Sequence, residues 1–380
     1  MSDGADVVII GGGIAGLTVA HHLAPHRRVM VIEAEPTLAH HTTGRSAAQY
    51  LETYGGAVNQ SLTLASRHFF FDPPPDLVDH DLLTRVPFLH VGGPDDRELI
   101  EAEAARAATF VPGVAVLDRD GLRRHCPVLR PEAVGWGVLE PDAMDIDVMA
   151  LHQAFVRGSR RHDAVIATSR SAQRIEPRPD GWRVHTSTGP IDTHFVVNAA
   201  GAWGDVVAER AGIDPLGLTP LRRTAFTSAP ATSPVGWPLV HTHVESATLA
   251  PCYFKPEAGG QLLCSLADES PAPPGDARPN EVDVALALDH LDALTTLGLR
   301  SVRRAWAGLR TFTPDRQPAI GWEPTAPGFF WMVGQGGTGI QTAPASGALA
   351  AALIMGVDPA TVRHGPTLDP AAVSPARFRA

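Results

Sequence analysis

Short, continuous apolar runs that stop at glycine or other small residues alternate along this chain with longer segments whose apolar positions recur every third or fourth residue. The first pattern predicts buried strands and the second amphipathic helices. The run Val7-Val8-Ile9-Ile10 reads as a strand that enters the turn Gly11-Gly12-Gly13-Ile14-Ala15-Gly16. A helix from Leu17 to about Leu23 follows, and a second strand, Val29-Met30-Val31-Ile32, ends on Glu33. Further helices are expected over 59–71, stopped by Pro73-Pro74-Pro75, and over 94–108, 119–126, 147–162, 281–297 and 341–354. Asp147 reads as the N-cap of one of these. Further strands are expected over 84–91, 134–139, 164–168, 182–185, 191–195, 195–198, 222–227, 252–255, 261–265 and 329–333.

The opening strand–turn–helix–strand unit has a physical purpose. Gly11 permits the tight turn, Gly13 lets a pyrophosphate approach the backbone, and Gly16 lets the helix pack close on the strand. The helix N-terminus presents free N–H groups and partial positive charge to the phosphates. Glu33 lies where a carboxylate can accept hydrogen bonds from ribose hydroxyls, and its acidity argues against a 2′-phosphate. The loop His40-His41-Thr42-Thr43-Gly44-Arg45-Ser46-Ala47-Ala48-Gln49 follows at once. Its Gly, Ser and Thr content suits a backbone cradle for phosphate or a flavin edge. The strand over 195–198 ends in Ala199-Ala200-Gly201-Ala202-Trp203, small residues that leave room for a cofactor over the sheet. A second glycine loop, Gly334-Gln335-Gly336-Gly337-Thr338-Gly339-Ile340, enters the helix over 341–354 and can aim its N-terminus at a reduced flavin.

From 216 to 304 the character changes to short strands with Gly/Pro turns, a mixed sheet. The expected fold class is therefore α/β, or α+β in two domains: a Rossmann-like FAD domain from 1–80, 145–215 and 305–380, and a mixed β-sheet substrate domain from 81–144 and 216–304. Neither internal repeats nor low-complexity segments occur.

Composition narrows the function. With 41 acidic and 31 basic residues among 380, the net charge is −10, which disfavours nucleic acid as a partner. No apolar run approaches the ~20 residues of a membrane span. The first strand begins almost at the N-terminus, so no signal peptide is expected. The three scattered cysteines, Cys126, Cys252 and Cys264, fit a reducing cytoplasm. His241 and His243 have H-x-H spacing, and Asp145 with Asp147 could pair on an ion, but no further ligands accompany them, and no metal is expected.

The N-terminal glycine unit, Gly44-Arg45-Ser46-Ala47-Ala48, Asn198-Ala199-Ala200-Gly201-Ala202-Trp203 and the terminal Gly-Gly-Thr-Gly-Ile-Gln together resemble the FAD-dependent D-amino acid oxidase superfamily, which includes glycine and sarcosine oxidases. The bacterial D-arginine dehydrogenase type is the nearest likeness. Leu216-Gly217-Leu218, Arg222-Arg223, Tyr253 with Lys255-Pro256, and Trp306-Ala307-Gly308-Leu309-Arg310 extend it over most of the chain. The resemblance implies a glutathione-reductase-like FAD fold and oxidation of an amino acid to an imino acid. It implies that FAD touches Ala15, Glu33, Ala34, Thr42, Thr43, Gly44, Arg45, Ser46, Ala47, Ala48, Gln49, the Ala172 backbone, and Gly336, Gly337, Thr338, Gly339 and Ile340, beside Ala200, Gly201 and Trp203. Arg223 and Arg310 would clamp the substrate carboxylate, and Tyr54 and Tyr253 would border the pocket, with Gly337 at the junction of substrate and flavin.

Guanidinium forks suit a carboxylate, and a fixed carboxylate positions the Cα–H for hydride transfer to the flavin N5. Arg222 could replace Arg223, since strand alternation turns only one inward. The D-arginine type carries a histidine at Gln49 and a glutamate at Phe88. Phe88 would oppose a buried cation, so apolar or aromatic side chains are expected over cationic ones. No cysteine lies between Arg310 and Gly321, so FAD is expected to be non-covalent. The expected partners are an amino acid and an electron acceptor, oxygen or a quinone-like compound. The alternatives are oxidation of N-methylated or cyclic secondary amino acids and, outside enzymes, a flavin-bearing subunit or nucleotide-binding protein.

Overall fold

The computed structural model describes residues 4–362, 365, 366 and 368–379. Strand Ala5–Ile10 lies parallel between Val29–Ile32 and Gly189–Asn198, with Ile10 opposite both Ile32 and Asn198. Their carboxyl ends are thus level, and the glycine turn, Glu33 and Ala199 emerge together. Val165–Ala167 extends the sheet on one side, and Phe329–Val333 with antiparallel Ala319–Trp322 on the other. The meander Ala172–Arg178, Gly181–Thr186 and Gly189–Asn198 completes it.

Both faces of this sheet are covered, which is why its strands read as unbroken apolar runs. Val7, Ile9, Val29 and Val31 pack with helices Ile14–Leu23, Val148–Arg161 and Ala343–Met355. Val8, Ile10, Met30 and Ile32 pack with Trp182, Val184, Val207 and Ala208. Helix Ala343–Met355 is buried nearly all round, which leaves it no polar face. It crosses helix Ile14–Leu23 so closely that a β-carbon on Gly347 would stand 2.2 Å from Thr18 Oγ1.

The second sheet is mixed. Its strands run in the order Thr219–Ser228, Gln261–Ser265, Tyr253–Glu257, Leu239–Thr242, Phe88–Gly92, Trp136–Glu140 and Ala115–Asp118. Leu239–Thr242 is parallel to Phe88–Gly92, and the other pairings in this series are antiparallel. One face packs on helix Glu281–Leu294. The other, with Ala225, Leu239, Tyr253 and Phe88, faces Ala47 and Trp306.

Several expectations shift; the strands over 191–195 and 195–198, for one, are a single strand, Gly189–Asn198. The single strand over 84–91 is two, Leu83–Arg85 and Phe88–Gly92, in different sheets. Pro87, which has no N–H to give a ladder, stands at the break. Arg304–Phe312 pairs along Thr219–Ser228 in the second sheet, so hydrogen bonding joins this strand to the sheet of 216–304. The helix after the second glycine loop starts at Ala343, not 341.

Candidate functional site

The glycine turn is held from several sides. Gly11 has φ +117°, and a β-carbon there would stand 2.4 Å from Ala199 O. One on Gly16 would stand 2.0 Å from Gly11 O. These two glycines serve close packing. Glu33 accepts the Gly12 amide at 2.7 Å and the Glu35 amide at 2.9 Å, so its carboxylate is oriented by the turn itself. Thr43 Oγ1 accepts the Ile14 amide at 3.1 Å. His152, from helix Val148–Arg161, donates Nε2–H to Gly12 O at 3.0 Å. Burial lowers the His152 pKa and so favours the neutral ring. Sequence reasoning missed this residue, because a histidine on a buried helical face has no local signal.

Helix Ile14–Leu23 begins with Gly13, with no side-chain cap and no acid in its first turn. Thr43 Oγ1 takes the Ile14 amide, and Gly13, Ile14 and Ala15 at this positive end line a cavity of about 1600 Å³. A pyrophosphate fits that end. The volume exceeds the ~300–1,000 Å³ of an ordinary small-molecule pocket and suits a cofactor with a substrate. Glu33, Ala34, Thr42, Thr43, Arg45, Ser46, Ala47, Ala48, Gln49, Ala172, Ala200, Gly201, Trp203, Gly336, Gly337, Gly339 and Ile340 line the same cavity. Gly16, Gly44 and Thr338 stand behind its wall. Gly44 packs against Ala39 O, and Thr338 Oγ1 donates to Asn59 Oδ1 at 3.0 Å.

The loop from Thr42 fastens the two sheets together. Thr42 Oγ1 donates to Leu309 O at 2.9 Å, and Trp306 Nε1 donates to Arg45 O at 3.0 Å. The Arg45 guanidinium donates to Ala277 O at 2.9 Å and Ala307 O at 3.0 Å, and pairs with Asp276. Arg45 is thereby a structural tie, with its charge spent on the strap over strand Arg304–Phe312.

At the other end, pairing sets Arg310 opposite Leu221 and Arg223 opposite Gly308. Arg223 and Arg310 therefore share a face, and both line the cavity. Arg222 points away, its Nη2 3.1 Å from Asp283 Oδ2. Arg223 Nε donates to Asp268 O at 2.6 Å, and Nη2 lies 3.5 Å from Glu269, which Arg316 also holds at 3.0 Å. Burial, and then Arg310 beside it, lower the Arg223 pKa. The Arg310 guanidinium has no hydrogen bond or ion pair among the described residues. Two guanidiniums in one cavity, one of them free, are a donor set that could hold an anion.

Tyr54, 44% exposed, and buried Tyr253 line this end with Phe88. Tyr253 stacks on His241 with ring centroids 5.7 Å apart. Burial, then His90, push the His241 pKa down to about 3, so it is neutral at any ordinary pH. Its Nδ1 donates to Thr242 O at 2.7 Å. Gln49 Nε2 donates weakly to Val86 O at 3.3 Å, and its buried Oε1 has no partner among the described residues. Sequence reasoning also missed Leu239, His90 and Glu103 in the cavity wall. They come from three separate elements.

The family model described as FAD dependent oxidoreductase matches residues 6–353. Glycine oxidase of Bacillus subtilis is 24% identical over 92% of this chain and 93% of its own length. Rat mitochondrial dimethylglycine dehydrogenase is 26% identical over 56% of this chain, and the match spans 25% of that protein. L-proline dehydrogenase from P. horikoshii superposes with a TM-score of 0.85 at 22% identity, covering 100% of this chain and 99% of the other. No helix among the described residues is long and apolar enough to cross a membrane. The chain belongs to the FAD-dependent oxidoreductase family.

Proposed function

We propose that this FAD-dependent oxidoreductase oxidises an amino acid, of D configuration and with an apolar or aromatic side chain, to the imino acid, which water converts to the 2-oxo acid and ammonia. The observation that carries the reading is Arg310, its guanidinium unpartnered in the cavity, on one face with Arg223, which stands across from side-chain-free Gly308. The two forks would grip the substrate carboxylate, and Tyr54 and Tyr253 would close over it.

The pyrophosphate of FAD would lie at Gly13 and Ala15, its ribose at Glu33, and its flavin between the loop at Ser46–Gln49 and the one at Gly336–Ile340. FAD, held without a covalent bond, supplies the acceptor for the hydride leaving the substrate carbon. The chain positions that carbon by fixing the carboxylate. The positive charge of Arg223 and Arg310 also lowers the pKa of a nearby ammonium, favouring the neutral amine from which hydride departs. Gln49 moves no proton near neutrality. Beyond the clamp the wall is Phe88, Leu239, Ala225 and Tyr253, which suits an apolar group and would leave an arginine side chain unpaired.

A second reading, oxidation of a secondary amino acid, has the likeness to dimethylglycine dehydrogenase and L-proline dehydrogenase in its favour. Anaerobic mixing of the yellow protein with D-, L- and N-methylated amino acids separates the two. The first reading expects bleaching by D-phenylalanine before D-arginine and none by L-isomers. Bleaching by N-substituted substrates alone establishes the second, and a clear preference for D-arginine removes the apolar one. Admitting air then tells oxygen from a quinone-like acceptor.

A further inference from the structure

The cavity continues past its apolar wall. Strand register sets Tyr253, His241 and His90 in one row across three strands, with Leu239 and Phe88 in the next. His243 lies on the same face and stacks on His90, centroids 4.6 Å apart and planes at 23°. Over them stands Glu103 of helix Arg97–Ala107. His90 Nδ1 donates to its Oε1 at 2.7 Å. Its Oε2 is 3.4 Å from His243 Nε2, buried, and without a hydrogen bond among the described residues. All three residues line the cavity.

Two histidines and a carboxylate suggest a metal, but the protons are placed wrongly for one. His243 Nδ1 accepts the Glu245 amide at 3.1 Å, so its proton sits on Nε2, toward Glu103. His90 likewise turns an N–H to the carboxylate. A metal would need lone pairs at those atoms. The arrangement instead stabilises a buried anion. Burial works to raise the Glu103 pKa, but the hydrogen bond from His90 and the charges of His90, His243 and Arg106 outweigh it and hold it below the usual carboxylate range. One oxygen of that anion, Oε2, faces the His243 Nε2–H at 3.4 Å and makes no hydrogen bond among the described residues.

We propose that Glu103, braced by His90 and His243, is a second anchor in the substrate cavity, taking a protonated amine or other hydrogen-bond donor at the far end of an extended substrate. The inference rests on the carboxylate clamp at Arg223 and Arg310. Arg223 and His90 stand on strands four steps apart in the sheet, and Glu103 stands over His90. Phe88 neighbours His90 on the same strand, with ring centroids 5.6 Å apart, so the apolar wall ends at the histidines. A chain with an apolar middle crosses that wall and reaches the carboxylate.

The test uses unreactive carboxylates, so that neither stereochemistry nor amine oxidation enters. The FAD-loaded protein is titrated with γ-aminobutanoate, ε-aminohexanoate and ω-aminooctanoate, each against the plain alkanoate of equal length, and the flavin absorbance is followed. The anchor requires one ω-amino acid to bind about tenfold or more tightly than its alkanoate, as a charge-assisted hydrogen bond would give. Glu103→Gln should close that gap and leave the alkanoate affinity, which reports an intact clamp, as it was. Equal binding of amino and plain acids at every length overturns the anchor and spares the clamp. No binding of any carboxylate overturns both.

Discussion

Gly337 lies so close to Arg310 that a β-carbon on it would stand 3.1 Å from Nη1, and the same carbon would be 3.5 Å from the Tyr54 hydroxyl. The second glycine loop and the free guanidinium come from different sheets and meet here. Gly337→Val would crowd both groups. We expect KM for the amino acid to rise roughly tenfold or more, about 1.4 kcal/mol, while the FAD content of the purified protein stays as it was. Loss of FAD with KM unchanged would place Gly337 at the cofactor alone.

The neighbours Arg222 and Arg223 should behave oppositely. Arg223→Lys removes a fork from the cavity and is expected to lower kcat/KM by roughly 10- to 100-fold. Arg222→Lys weakens the tie to Asp283 and should cost about 1 kcal/mol of stability with kcat/KM nearly constant. Steady-state kinetics and urea unfolding on both variants check the pair, and equal kinetic losses would count against the clamp.

Gly11 and Gly189 have nearly the same φ, +117° and +120°, but a β-carbon on Gly11 meets Ala199 O at 2.4 Å and one on Gly189 meets nothing within 4 Å. Both alanine variants bear backbone strain, of order 1–3 kcal/mol. Gly11→Ala bears the clash as well. It should unfold at clearly lower urea than Gly189→Ala and lose FAD, whereas Gly189→Ala should keep it.

Glu323 ties the C-terminal segment through Arg379 at 2.8 Å, with its side chain fully buried. Burial opposes its charge, but hydrogen bonds from Arg379, Thr325 and Trp331 prevail and hold its pKa down to about 2. The folded value lies below the unfolded one, near 4.3, so the stabilisation is complete above ~pH 5 and is lost as pH falls through 4 toward 2. Glu323→Gln should therefore cost roughly 3 kcal/mol near neutrality, and urea unfolding should show the gap closing as the pH is lowered to ~3. A gap independent of pH would mean that the carboxylate charge contributes nothing.

The residues alone determined the nucleotide-binding half. Val7–Ile10 and Val29–Ile32 announce themselves as apolar runs because both sheet faces are covered. Gly11, Gly16 and Glu33 act on neighbours within a short stretch of chain, so their spacing is readable. The pair at 222 and 223 was narrowed to one inward arginine by strand alternation, and only the tertiary structure, with Asp283 on one side and the cavity on the other, decided which. It also turned Arg45 into a strap, since its partners lie more than 230 residues away. His152 reaches the glycine turn across 140 residues, and His90, Glu103 and His243 converge from a strand, a helix and the residue just past a second strand. Such contacts depend on sheet register and helix placement, which are set by the packing of the whole core, and no local periodicity carries them.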